Sequence, residues 1–360
     1  MSECLIVGGG IIGMLTAREL AREGMVVTLL ERGELGQESS WAGGGIISPL
    51  YPWRYSDAVS QLASWGQQIY SGLATELAEE SGIDPEWTQS GLLILDSGEE
   101  AQAQQWAQNY GQACEIIKPS LVQQLEPGLT EQKGEGIWLP DVAQVRNPRL
   151  VKALRGSLQH YAVKVLEHSE VDGLCLKDQR IEAVMVAGQK IPAEHLIITS
   201  GAWSGGLLSG LGIRIKVRPL RGQMLLFRAR PGQVSRIVLS KDRYVIPRRD
   251  GRVLVGSTLE EVGFDKSTTS EAREELVGEA YRLIPSLQGC EIEHHWAGLR
   301  PASPEGIPYI YKDEKIEGLY VNTGHFRNGV VLGPASARLM ADIVLKKAPI
   351  MDSKPYRICV

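Results

Sequence analysis

Three glycines near the start of the chain, Gly8, Gly10 and Gly13, stand in the spacing G-x-G-x-x-G and could hold a pyrophosphate against bare backbone. Gly8 permits a tight turn, and Gly10 leaves room for phosphates to approach. Gly13 lets a helix pack closely on a strand, and the first turn of that helix offers N–H groups with no partner inside the helix. Glu31 ends the apolar run that follows and can accept hydrogen bonds from an adenosine ribose. A lone glycine triplet is weak evidence, since any glycine turn can match it. Here a strand, a helix, a second strand and a terminal acid stand in register around it, which favours a dinucleotide site.

The elements that must position these residues follow from the apolar pattern. Cys4 to Val7 is a short apolar run, helix periodicity reaches Glu23, and Met25 to Leu30 is a second strand. The loop Arg32 to Ser48 is polar and glycine-rich, with Ser39, Ser40 and Trp41 placed to start a helix. Gly43, Gly44 and Gly45 are either an ordinary surface turn or bare backbone on which a flat ring can lie; three in a row favour the ring. Ser56 to Gly82 reads as one long helix, capped by Ser56 or Asp57 and ended by Gly82.

After it the chain changes character: short apolar runs such as Gly91 to Leu95 accompany a Gln-rich helix, Glu99 to Tyr110, read as the first piece of an inserted domain. Asn147-Pro148 is a helix cap followed by a first-turn proline. Two hairpin-like strands follow, Gly173 to Leu176 and Arg180 to Ala187. The apolar strand Leu196 to Ile198 feeds Ser200-Gly201, which places that turn at the carboxyl edge of a parallel sheet, where ligands bind in such folds. Alternation from Arg218 to Gly256 predicts an antiparallel sheet, and Glu291 to Leu299 a strand returning to the first domain. Gly318 to Val321 is a strand that runs through a glycine loop into a helix, Val330 to Leu345. Arg248 and Arg249, beside Arg252, read as a solvated turn.

A chain of 360 residues can bury a sizeable core in about two domains. Its net charge of −5 gives no reason to expect nucleic acid or an anionic membrane as a partner. The start Met1-Ser2-Glu3 lacks the basic region of a signal peptide, and no run is long enough for a membrane span. The cysteines (Cys4, Cys114, Cys175, Cys290, Cys359) are scattered without C-x-x-C, so a reduced, cytoplasmic setting is expected. No metal is expected, since His294 and His295 are adjacent in a strand and point to opposite faces.

Two later segments stand out: Trp296-Ala297-Gly298-Leu299-Arg300-Pro301 and Gly324-His325-Phe326-Arg327-Asn328-Gly329. With the first 50 residues, the loop SSWAGGGIISP and the stretch RYVIPRRDGRVLVGST, they make the chain similar over essentially its whole length to the flavin-dependent D-amino acid oxidase superfamily. The resemblance implies an α/β fold: a discontinuous Rossmann-like FAD-binding domain of the glutathione-reductase kind, plus an antiparallel-sheet α+β substrate domain. Residues 1–84, 141–218 and 297–348 are expected in the first, residues 85–140 and 219–296 in the second, and 349–360 in a C-terminal tail.

The resemblance also implies noncovalent FAD, since the ring-facing region holds no cysteine to attach it. It assigns adenosine and pyrophosphate contacts to Ile11, Ile12, Glu31, Arg32, Ser39, Ser40 and Val171, alongside Gly8, Gly10, Gly13 and Gly201. Ring contacts fall on Gly44, Gly45, Ile46 and the run His325, Phe326, Arg327, Asn328, Gly329, Val330 and Val331. The implied reaction is oxidation of glycine, extending to sarcosine or small D-amino acids, with oxygen as acceptor and a place in thiazole (thiamine) biosynthesis. A homotetramer is implied as well.

The chemistry of the residues agrees. Oxidising a small amino acid requires its carboxylate to be fixed and its amine neutral, so that hydride can leave Cα for the flavin. A planar guanidinium grips a carboxylate bidentately and so orients Cα. Arg300, just past a strand, is the candidate clamp, and Tyr244 can donate a second hydrogen bond. Arg327 either touches substrate or stabilises negative charge on the reduced flavin. No acid–base residue is needed, because catalysis rests on orientation and the cofactor. Taken without the resemblance, Arg300 would more often be a surface charge or structural ion pair, Tyr244 packing surface, and His325 a group that satisfies loop backbone. Two other functions compete: a D-amino acid or sarcosine dehydrogenase that reduces a quinone or carrier, and a noncatalytic flavin-binding subunit.

Overall fold

The computed structural model describes residues 3–358; Met1, Ser2 and Cys359 lie outside that range. Six strands form the first sheet in the order Tyr309–Lys312, Leu319–Thr323, His195–Ile198, Glu3–Val7, Val26–Leu30 and Lys164–Leu166. All neighbours are parallel except the Tyr309–Lys312 edge. The strands at its centre read as unbroken apolar runs because both of their faces are covered.

One face carries the helices Ile11–Arg22, Asp57–Ser81, Asn147–His160 and Gly329–Val344, which share a core with Ile6, Leu29 and Ile197. The other face packs Leu5, Val7, Leu196 and Ile198 against Ile181 and Val184 of a three-stranded antiparallel sheet, Val171–Lys177, Arg180–Val186 and Gln189–Pro192. This is the expected Rossmann-like arrangement, with one strand more in the small sheet than the two-stranded hairpin predicted. Between the helices the guanidinium of Arg18, 1% exposed, bonds Glu80 at 2.5 Å and Glu76 at 2.7 Å, which satisfies a charge that burial would otherwise penalise.

The second sheet has eight strands in the order Glu291–Ala302, Arg218–Arg228, Arg252–Gly256, Arg243–Pro247, Ile237–Ser240, Leu92–Leu95, Gly136–Leu139 and Glu115–Ile117. It is antiparallel except at one place: Ile237–Ser240 runs parallel to Leu92–Leu95. A purely antiparallel sheet was the expectation. The inserted segment reaches the sheet from far away in sequence, so no hairpin fixed its direction. Helix Ser270–Leu283, capped by the Thr269 side chain, covers one face of this sheet.

Several local expectations are corrected. The strand Glu291–Ala302 does not stop at Leu299; Leu220 pairs with Arg300 and Arg218 with Ala302. The boundaries drawn at 218/219 and 296/297 therefore fall inside strands of the second sheet, and Arg300 sits within a strand. Asn147 is the first residue of its helix and not its cap, because its side-chain amide donates to the Ser40 carbonyl at 2.6 Å. Ser56 occupies the cap position of the long helix, but its hydroxyl makes no capping bond. Gly82 ends that helix in the left-handed region, as expected. The terminal segment is docked: Tyr356 is fully buried and donates to the Ala58 carbonyl at 2.8 Å. Among the described residues no helix is long and apolar enough to cross a membrane.

Candidate active site

The glycine turn after Glu3–Val7 is shaped by close backbone approach. Gly8 has φ +113°, and a Cβ there would lie 2.6 Å from the Thr199 carbonyl oxygen. A Cβ on Gly13 would fall 1.9 Å from the Gly8 carbonyl, so only glycine lets the helix sit this close to the strand. Gly10 differs: a Cβ there would meet only Ser40 Oγ, at 3.3 Å, and would otherwise project into open space. The first intrahelical bond runs from Met14 N to the Gly10 carbonyl, and Ser40 Oγ accepts from Ile11 N at 2.8 Å. Glu31 accepts from Gly9 N at 2.7 Å and Gly33 N at 3.0 Å, which fixes its carboxylate at the strand end while each oxygen keeps a further lone pair.

At the other end of the same groove, Gly44 lies against Ile246 and Tyr244; a Cβ there would stand 2.9 Å from Ile246 Cδ1 and 3.3 Å from the Tyr244 ring. Arg248, expected in a solvated turn, instead reaches inward and donates to the carbonyls of Gly44 at 2.8 Å and Val145 at 3.0 Å. Burial, with Arg146 adding repulsion, lowers its pKa to about 10. It pins the loop that carries the three glycines. The opposite wall is the turn from Leu319–Thr323 into Gly329–Val344, whose N-terminus has no side-chain cap. There Asn328 Nδ2 is buried without a partner.

Arg300 and Arg327 both face this end. Arg300 donates to Ser257 Oγ at 2.6 Å and to the Thr258 carbonyl at 3.1 Å. Burial lowers its pKa, Tyr244 opposes the shift, and Arg327 adds to it. Among the described residues, neither arginine forms an ion pair, and Arg327 Nε is buried without a hydrogen-bond partner. Two half-buried guanidiniums without a carboxylate beside them suit an anionic group. Gly222 makes the Arg300 pose possible, since a Cβ there would lie 1.9 Å from its guanidinium. Tyr244, 7% exposed, stands beside Met224 and completes the wall.

These pieces bound one continuous cavity of about 490 Å³. The expected residues Gly8, Gly10, Ile11, Ile12, Glu31, Arg32, Ser39, Ser40, Gly44, Gly45 and Ile46 line it. So do Val171, Gly201, Tyr244, Arg300, His325, Phe326, Arg327, Asn328, Gly329 and Val330. Two do not. Gly13 acts through packing alone, and Val331, 1% exposed, is turned into the helical core, where its carbonyl lies against Gly66. Sequence reasoning missed Glu38, Trp203, Gly222, Met224 and Ser257, all of which line the cavity. Trp203 follows the Ser200-Gly201 turn and Glu38 precedes Ser39-Ser40, so both were within reach of those signals; Gly222 and Met224 are placed by the register of Arg218–Arg228, and Ser257 follows Arg252–Gly256.

Together the βαβ turn, the six-stranded sheet and the anion site define an amino-acid-oxidising flavoprotein class, and the FAD dependent oxidoreductase family model matches residues 3–343. The chain belongs to that family. It is 48% identical to the glycine oxidase of Pseudomonas aeruginosa over 99% of this chain and 98% of that one. It is 30% identical to the bifunctional protein ThiO/ThiG of Trichormus variabilis, covering 98% of this chain and 54% of that protein. The crystal structure of glycine oxidase from Geobacillus kaustophilus superposes with TM-score 0.94 at 28% identity, over 100% of this chain and 99% of that one. FAD fits the residues present. The glycine cradle is open at Gly10, the cavity is continuous from Glu31 to Arg300, and Asn328, whose buried amide nitrogen has no partner, is among its lining residues.

His325 is tied by its ring to the helix that follows it. It is 2% exposed, its Nε2 hydrogen-bonds Ser336 Oγ at 2.9 Å, and burial lowers its pKa to about 3. The unfolded chain takes up this proton near the ordinary value of 6.5, the folded chain only near 3, so His325 removes stability as pH falls through that window. Urea unfolding followed from pH 7 to 4 should therefore show a smaller loss of stability for His325→Gln than for the unaltered protein. An equal loss would remove His325 from the acid response.

Proposed function

We propose that the chain catalyses FAD-dependent oxidative deamination of glycine, and of sarcosine or small D-amino acids, to the imine. The imine hydrolyses to glyoxylate (or the corresponding keto acid) and ammonia or amine. FAD, when bound, would supply the two-electron acceptor, with oxygen as the final acceptor and hydrogen peroxide as its product. The single observation that carries the reading is the pair Arg300 and Arg327, two cations without a carboxylate in the same cavity as the glycine cradle.

Arg300 would hold the substrate carboxylate through its fork, fixed from behind by Ser257 and Thr258. Tyr244 would donate to the same carboxylate. Arg327 and the uncapped start of Gly329–Val344 would stabilise negative charge that develops beside them. No cysteine lines the cavity among the described residues, in keeping with noncovalent FAD. The role in thiazole supply rests on the family resemblance and on the ThiO/ThiG relative. A cytoplasmic setting rests on the free thiols of Cys4, Cys114, Cys175 and Cys290, and a homotetramer on the resemblance alone.

The purified yellow protein tests this directly. Glycine should bleach the flavin without air and yield stoichiometric peroxide in air. Bleaching without peroxide would make it a dehydrogenase that uses another acceptor, and no bleaching with glycine, sarcosine or D-alanine would leave a flavin-binding subunit.

A further inference from the structure

Residues 259–267 leave the second sheet after Arg252–Gly256 and run back over the first. Phe264 is 52% exposed, and Leu259 and Val262 of the same loop are exposed as well, at 46% and 39%. Its ring stacks on Trp203 at 5.4 Å between centroids and 29° between planes. The Arg32 guanidinium also lies over the Trp203 ring, 3.6 Å from the centroid. Two residues on, Lys266 Nζ bonds both oxygens of Glu38 at 3.0 and 3.2 Å, and Glu38 bonds Arg32 at 2.7 Å.

The loop is held in this pose from below. Arg221, 4% exposed, bonds Glu260 and Asp265 at 2.6 Å each and the Ser267 carbonyl at 2.9 Å. Gly263 supplies the turn with φ +64°. The polar part of the loop is thus anchored on its own sheet, while Phe264 and Lys266 reach across to the other.

Arg32, Glu38 and Trp203 line the end of the cavity where Glu31 closes its strand. We propose that residues 259–267 form a strap that retains FAD by its adenosine end, with Phe264 and Lys266 as positioning residues for Trp203 and Glu38. The cofactor's adenosine end can leave only when those two contacts open. This rests on the family's FAD and not on the choice of glycine as substrate.

The test is FAD release from the holoenzyme without substrate, read by the rise in free-flavin fluorescence on dilution and by titration of the apoprotein. Phe264→Ser should weaken FAD binding about tenfold or more, Lys266→Gln about threefold, and Phe264→Trp should restore retention. Leu259→Ser, an exposed position on the same loop without either contact, should leave it unchanged. Apoprotein melting temperature separates retention from folding: the proposal requires that it stay constant in Lys266→Gln. Unchanged release in both Phe264→Ser and Lys266→Gln, or an equal effect from Leu259→Ser, overturns the strap.

Discussion

Arg300→Ala should raise the KM for glycine by about 100-fold or more while the visible flavin spectrum stays intact. Arg300 is half-buried, bears no carboxylate partner among the described residues, and is pre-oriented by Ser257 and Thr258. Removing one member of a desolvated charge pair leaves the other unpaired, at a cost of about 3 kcal/mol or more, which corresponds to that factor. Arg300→Lys should recover only part of the loss, because an ammonium lacks the planar fork that fixes Cα. Gly222→Ala should mimic the defect without touching a charge, by pushing the guanidinium off its position. An unchanged KM in Arg300→Ala would remove the clamp, and a lost flavin spectrum would show a structural role instead.

The second large effect separates two glycines of one motif. Gly10→Val should give a folded, colourless protein: a Cβ there meets only Ser40 Oγ within 4 Å, so the side chain grows into the space left for phosphate. Gly13→Val should not fold, since even its Cβ would lie 1.9 Å from the Gly8 carbonyl, with Thr199 Oγ1 at 2.7 Å. Circular dichroism and FAD content of the two purified variants decide it. Stoichiometric FAD in Gly10→Val would refute the cradle, and a folded Gly13→Val would refute the packing argument.

The sequence is most legible where the chain encodes its structure locally. The glycine spacing, the apolar runs around it and the acid at Glu31 lie within 30 residues, so their geometry follows from backbone rules alone. The segments carrying Arg300 and His325 to Gly329 were found because their residue types are specific, and the structure brings them to one cavity. Errors arose where distant chain segments compete for the same polar groups. Asn147 spends its amide on Ser40 and not on its own helix. Arg248, set in a run of charges that reads as solvated, is recruited by the carbonyl groups of Gly44 and Val145, 204 and 103 residues away in sequence.

The sequence by itself determined a βαβ dinucleotide turn, an apolar parallel sheet and an arginine able to grip a small carboxylate. Only the tertiary structure decided that this arginine lies inside a strand, paired with Leu220 and with its guanidinium over Gly222, that Val331 turns away from the cavity, and that a loop from the second sheet reaches Trp203 and Glu38. The reason is one of range. Turns and strands are fixed by neighbours a few residues apart, whereas a cavity wall is set by the register of strands that meet only after the chain has folded.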